Sequence, residues 1–207
     1  MNNIIRLIVF LPVFILGCKT NLIEENKVIQ KIESLDMNIF SKKGEKIYSI
    51  SSPNSKYDKV QLKFNLKSTT IKIFDGEDIK YVINADSSTI SDKNKIVELN
   101  GNVKLKSQNQ EDGILYGDNL IWVVDESNYE LMGNVKFESA KVLLYSNKAI
   151  LGEENIIEFF NPVKYILKDE NNEKKYEINS ENAFYNIETE SLSFSAKEKR
   201  VRSTIYF

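Results

Sequence analysis

The sequence predicts an all-β protein: an elongated, twisted β-jellyroll or sandwich, built from repeated strand–turn–strand units and open at both ends. Three observations carry that prediction. From Gly44 onward the chain consists of short runs that alternate apolar and polar residues at period two, such as VQLKFNL, TIKIF and KIVELNGNVKLKS. Turn clusters rich in Asp, Asn, Ser and Gly separate the runs, among them SDKNK, SQNQEDG, DESN, GEEN and KDENNEKK. Finally, ELNGNVKL at residues 98–105 returns as ELMGNVKF at residues 130–137, so that Gly133 follows Gly101 by 32 residues.

Before that domain comes an N-terminal segment of different texture. Residues 1–17 place Arg6 ahead of an apolar run from Leu7 to Leu16 that contains Pro12. A bilayer-spanning helix needs about 20 apolar residues; this stretch is shorter and leads straight into KTNLIEEN. It reads as a lipoprotein signal peptide. Ile15-Leu16-Gly17-Cys18 resembles a bacterial lipobox, with Leu16 where Ala or Ser is usual. Cys18 is therefore the expected lipid-anchor residue, each buried CH₂ of its acyl chains contributing about 0.8 kcal/mol to membrane attachment. The alternative is an incidental cysteine in an uncleaved anchor. Residues 18–43 read as a lipid-anchored tether, with a short helix or a first strand near Ile29–Ile39, and residues 44–207 as one β domain.

The repeat extends beyond its glycines. Asp86, Asp118, Asn147 and Glu181 hold matching places ahead of Gly101, Gly133, Asn161 and Ser195, and a weaker earlier copy, SPNSKYDKVQLKFNLKSTTI, places Asn54 at 32 residues before Asp86. Each unit is a hairpin whose apolar face is too small to stand alone, so stacked copies share one continuous core. Gly101, Gly133 and Asn161-Pro162 fit bends within strands, where a strand crosses from one layer of a sandwich to the other. The alternation assigns the interior. Val60, Leu62, Phe64 and Leu66 face inward in the first copy, then Val97, Leu99, Val103 and Leu105. The next are Leu120, Trp122, Tyr129, Leu131, Val135 and Phe137, followed by Leu151, Phe159, Tyr165 and Tyr185.

Composition excludes much chemistry. The chain has no histidine and one cysteine, which removes the usual general base, an internal disulfide and any cysteine-based zinc site. A net charge of −2, with Lys and Glu interspersed, leaves no footprint for nucleic acid. The recurring carboxylates Asp86, Asp118 and Glu181 read as turn chemistry at strand starts, not as a catalytic pair. The acidic tracts DESN and KDENNE read as solvated loops and not as calcium cages. No enzyme activity, cofactor or metal is expected.

The corners Leu99-Asn100-Gly101-Asn102-Val103 and Leu131-Met132-Gly133-Asn134-Val135 carry a family resemblance. So does the rhythm at Ala85-Asp86 and at Tyr116-Gly117-Asp118-Asn119-Leu120. They resemble the periplasmic β-jellyroll family of the lipopolysaccharide-transport (Lpt) machinery over roughly residues 44–200. A single domain behind a membrane anchor is more similar to the LptC branch than to the soluble LptA bridge. The chain departs from that pattern in its inferred lipid anchor, where LptC has a transmembrane helix, and in Asn161-Pro162 at the third corner. The resemblance implies a periplasmic, inner-membrane-anchored component of lipopolysaccharide export. It would take lipopolysaccharide from the inner-membrane Lpt ABC transporter complex and pass it to an LptA-like bridge protein by strand-edge pairing. It also implies that Phe64, Leu99, Val103, Leu120, Trp122, Leu131, Val135, Phe137, Leu151, Phe159, Tyr165 and Tyr185 line a path for acyl chains, Trp122 foremost. The other reading is an envelope lipoprotein that uses the same repeat as a structural or adhesion scaffold.

Overall fold

The computed structural model describes residues 29–108, 113–152, 154–171 and 173–206. The expected signal peptide and Cys18 lie outside the described residues. The strands are β1 (Ile29–Phe40), β2 (Lys46–Asp58), β3 (Lys63–Asp75), β4 (Asp78–Ser91), β5 (Ile96–Ser107), β6 (Ile114–Val123) and β7 (Asn128–Glu138). They continue as β8 (Val142–Leu151), β9 (Ile156–Phe160), β10 (Val163–Lys168), β11 (Lys174–Ser180), β12 (Asn182–Asn186), β13 (Leu192–Ser195) and β14 (Arg202–Ile205). One 3-10 turn, Val124–Glu126, covers part of the DESN tract.

All fourteen belong to one open antiparallel sheet, in which β1 to β8 pair in chain order. Beyond β8 the sheet forks. Residues 142–145 of β8 pair with β10, which leads to β11 and β14; residues 148–151 pair with β9, which leads to β12 and β13. The fork is the end of a crease that crosses every earlier strand. Hydrogen-bonded pairing is interrupted around Ser34 in β1, Pro53 in β2 and Ser68 in β3, and shifts by a bulge at the same level in β4 to β8. Along this line the single sheet folds over, and its two halves face each other as the two layers of the expected sandwich.

Different residues make the crease in different strands. In β5 and β7 it is a left-handed pair: Gly101 (φ 78°) with Asn102 (φ 48°), and Gly133 (φ 73°) with Asn134 (φ 48°). Facing them, Asp86 of β4 accepts the Asn102 amide at 2.8 Å, and Asp118 of β6 accepts the Asn134 amide at 2.7 Å. These carboxylates therefore sit in mid-strand and brace the bend, a correction to the expectation of strand starts. In β2, in β8 and between β11 and β12 a serine turns the chain instead. Ser52, Ser146 and Ser180 each donate to the carbonyl two residues on, that of Asn54, Lys148 and Asn182, at 2.8–2.9 Å. In β2 the crease falls at Pro53, beside Asn54. Asn161-Pro162, joined by a cis peptide bond, separates β9 from β10 at the fork.

Within the 18–43 segment, of the two alternatives near Ile29–Ile39 the strand is present: β1 pairs with β2 from Ile29 onward. One further expectation is corrected. Val60 and Leu62 are 73% and 58% exposed. They lie in the turn between β2 and β3, where the Asp58 carboxylate accepts the backbone N–H groups of Val60 and Gln61, so that the alternation restarts at Lys63. In the KDENNE tract Asp169 works as Asp58 does, accepting the N–H groups of Asn171 and Glu173.

Candidate functional site

The candidate site is the space between the two layers. Of the sequence-predicted lining residues, Leu99, Val103, Leu120, Trp122, Leu131, Val135, Phe137, Leu151, Phe159, Tyr165 and Tyr185 are buried and share one core; Phe64 is partly buried and packs against it. Cys18 lies outside the described residues. The structure adds a second set that the alternation did not assign, in the layer that also holds Val103, Val135, Phe137 and Tyr165: Tyr48, Ile50, Ile71, Ile73, Tyr81, Ile83, Leu115 and Leu144.

Aromatic rings span the gap. The Tyr48 ring meets Trp122 edge-on at 5.0 Å between centroids, and Tyr81 meets Tyr129 in the same way at 5.7 Å. Further toward the fork, Phe137 lies 4.7 Å from Tyr185, and Tyr165 lies 5.4 Å from Phe194. Each such pair adds roughly 0.5–1.5 kcal/mol to what burial alone contributes. Trp122 is the largest fully buried side chain, and its indole N–H has no hydrogen-bond partner. Burying a ring of that kind removes roughly 150–250 Å² from water, about 4–6 kcal/mol, which outweighs the roughly 1–3 kcal/mol that an orphaned donor costs.

Along one lip the layers are joined by polar contacts. Tyr48 donates its hydroxyl to the Asn94 carbonyl at 3.0 Å, and Tyr81 donates to Asn155 Oδ1 at 2.8 Å, while Asn155 Nδ2 donates to Glu188. Burial lifts the Tyr48 and Tyr129 hydroxyls above the usual tyrosine range. Burial, and secondarily the Glu188 charge, lifts Tyr81 to about 12. All three remain neutral donors at any physiological pH.

The interior changes along its length. Its middle, from β5 to β9, is closed by buried side chains that are apolar apart from Ser146. Toward β1 it is bounded by the partly buried Leu35, Met37, Ile39 and Phe64, and toward the fork by Leu167, Tyr176, Ile178, Leu192 and Phe194. Near the crease of β2 to β4 the interior carries small hydroxyls, with Thr69 and Ser88 hydrogen-bonded at 2.9 Å. Among the described residues no cluster of His, Cys, Asp and Glu could hold a metal, and no helix is long and apolar enough to cross a membrane. An apolar file running the length of a creased sheet can hold hydrocarbon by dispersion and desolvation.

A creased, open antiparallel sheet around an apolar file defines a β-jellyroll of the kind found in lipopolysaccharide transport. The fold matches the crystal structure of LptH from Pseudomonas aeruginosa, the LptA-homologous periplasmic component of the lipopolysaccharide transport device. The TM-score is 0.50 at 14% identity, over 61% of this chain and 94% of that one. No curated protein matches the chain in sequence. The family model for LptC-related lipopolysaccharide-assembly proteins matches residues 19–141, more than half of the chain. The chain belongs to the LptC-related family, and its role lies in lipopolysaccharide transport.

Proposed function

We propose that this protein is a membrane-anchored periplasmic component of lipopolysaccharide export that carries acyl chains between its two layers. It accepts lipopolysaccharide from an inner-membrane ABC transporter and passes it to an LptA-like bridge protein. The observation that supports this best is the apolar file, sealed in the middle and bounded by partly buried side chains at both ends. It runs between unpaired strand edges, β1 at one end and β13 and β14 at the other. Neighbouring jellyrolls joined at those edges would extend one core into the next. Because the middle is packed with side chains, an entering acyl chain must part the layers, starting at the Tyr48 and Tyr81 contacts. The lipid at Cys18 would hold the N-terminal end at the membrane.

A photo-crosslinker placed at Trp122 or Phe137 in living cells tests the reading. Capture of acylated glycolipid at these interior positions, and none at Glu98 on the opposite face of β5, is expected. Capture at Glu98 alone, or at neither interior position, favours the scaffold reading. The anchor is tested separately: Cys18→Ala should abolish incorporation of labelled fatty acid, and continued labelling would show that Cys18 is not the attachment site.

A further inference from the structure

The solvent face of the sheet carries a second pattern, one that the interior does not explain. On the inner face, directly paired positions run Leu105, Leu115, Phe137, Leu144 and Tyr165, all buried. One residue over, on the outer face of the same strands, the pairing runs Lys104, Tyr116, Lys136, Tyr145 and Lys164. Five adjacent strands thus present a row that alternates cation and tyrosine. The row continues through Asn179 of β11 to Arg202 of β14. Neighbouring members stand one strand spacing apart, roughly 4.8 Å.

The row runs alongside the crease, and between them lies a groove of about 530 Å³, whose walls include Tyr116, Lys136, Tyr145, Asn147, Lys164 and Asn179. Its groups are held in place. Lys136 Nζ lies 4.7 Å from the centre of the Tyr116 ring and 2.6 Å from Glu138. Lys164 Nζ is 3.4 Å from Glu177, and Glu177 also accepts the Asn179 amide at 3.2 Å. Tyr145 stands between the two lysines and is 38% exposed.

We infer that this groove binds an acidic oligosaccharide, with a sugar ring stacked on Tyr145 and its phosphate or carboxylate groups on Lys136 and Lys164. Aromatic faces pair with the apolar faces of pyranose rings. The amides of Asn147 and Asn179 supply both donors and acceptors for hydroxyls, and alternating lysines complement anionic substituents one or two strands apart. A phosphodiester polymer fits less well: such polymers need an extended run of cations, whereas this row intersperses its lysines with tyrosines on a chain of net charge −2. The inference goes beyond the proposed function: it concerns the opposite face of the sheet and requires no acyl chain in the interior.

The test is an NMR titration of the full-length protein with the phosphorylated oligosaccharide left after complete deacylation of lipopolysaccharide. Shifts centred on Tyr116, Lys136, Tyr145 and Lys164 are expected, with at least fivefold weaker binding for Tyr145→Ala and for Lys136→Gln. A neutral oligosaccharide of equal length should bind at least tenfold more weakly than the phosphorylated one. The inference is overturned if the oligosaccharide shifts nothing along the row or if Tyr145→Ala binds as tightly as the parent. It is equally overturned if inorganic phosphate or anionic phospholipid vesicles reproduce the shifts. Interior crosslinking to acylated glycolipid without binding here would sink this inference and leave the proposed function standing; the converse result would do the reverse.

Discussion

At the scale of single residues, the crease depends on backbone freedom and on one close approach. A Cβ on Gly133 would lie 2.6 Å from Asp118 Oδ2, at a φ of 73° that side chains resist. Gly133→Ala is therefore expected to destabilise the fold by about 1–3 kcal/mol in urea unfolding, and Asp118→Ala in the same chain should recover the part due to the clash. The orphaned indole of Trp122 gives a second expectation. Trp122→Ala should cost about 3–5 kcal/mol. Trp122→Phe should cost under about 1.5 kcal/mol, because it keeps most of the packing and removes the unpartnered donor. Equal losses for the two variants would show that the indole N–H is satisfied in solution.

At the scale of elements, the fork leaves two thin ribbons, and carboxylates secure both. Glu181, next to β12, accepts the backbone N–H groups of Lys197 and Lys199 at 2.6 and 2.8 Å, with Glu198 at longer range. Those bonds, Lys197 first, hold its carboxyl below the usual range. In the other ribbon Lys174, then Asn179 and Lys164, hold Glu177 down to about 2. A depressed carboxyl pKa contributes stability that is present above the unfolded pKa and is lost as pH falls through the folded one. Both ribbons should thus loosen below about pH 4.5, giving lower amide protection factors over residues 192–205 once the intrinsic pH dependence of exchange is divided out. Glu181→Gln should weaken the 196–200 loop already at neutral pH. The lip behaves differently. Tyr81→Phe removes the hydroxyl that reaches Asn155 and should cost about 1 kcal/mol. The amide protection factor at Asn155 should report it, and the difference from the parent should not change between pH 5 and 8.

At the scale of the molecule, period-two alternation makes the fold class and most of the interior legible, and the crease explains part of the remainder. In β5 the left-handed pair at Gly101-Asn102 keeps parity, so Val97, Leu99, Val103 and Leu105 all point inward. In β4, β6 and β8 a single crease residue reverses parity. Tyr81 and Ile83 lie inside on odd numbers and Ile90 on an even one; Leu115 is followed by Leu120 and Trp122; Leu144 is followed by Ala149 and Leu151. Reading one parity through those strands loses Tyr81, Ile83, Leu115 and Leu144 together. The serine creases at Ser52, Ser146 and Ser180 were missed for a simpler reason, since a serine inside a strand carries no turn signal unless its acceptor is known. Hydrogen exchange should trace the same architecture. Protection is expected to be highest in β4 to β7, where each strand has two neighbours over a sealed core, and lowest in β1, β13 and β14; a flat profile would argue against stepwise stacking of repeats.

The fork also makes the two ends of the molecule unlike. One end is a single twelve-residue strand, β1, bent once at Ser34 and spanning both layers. The other end is two separate four-residue strands, β13 in one layer and β14 in the other. A row of such domains therefore has a head and a tail. A neighbour at β1 must match one long bent edge, whereas a neighbour at the fork must engage two short edges at once or choose one layer. That inequality gives the molecule a direction before any energy source acts on it, and limits which of its ends a given neighbour can join.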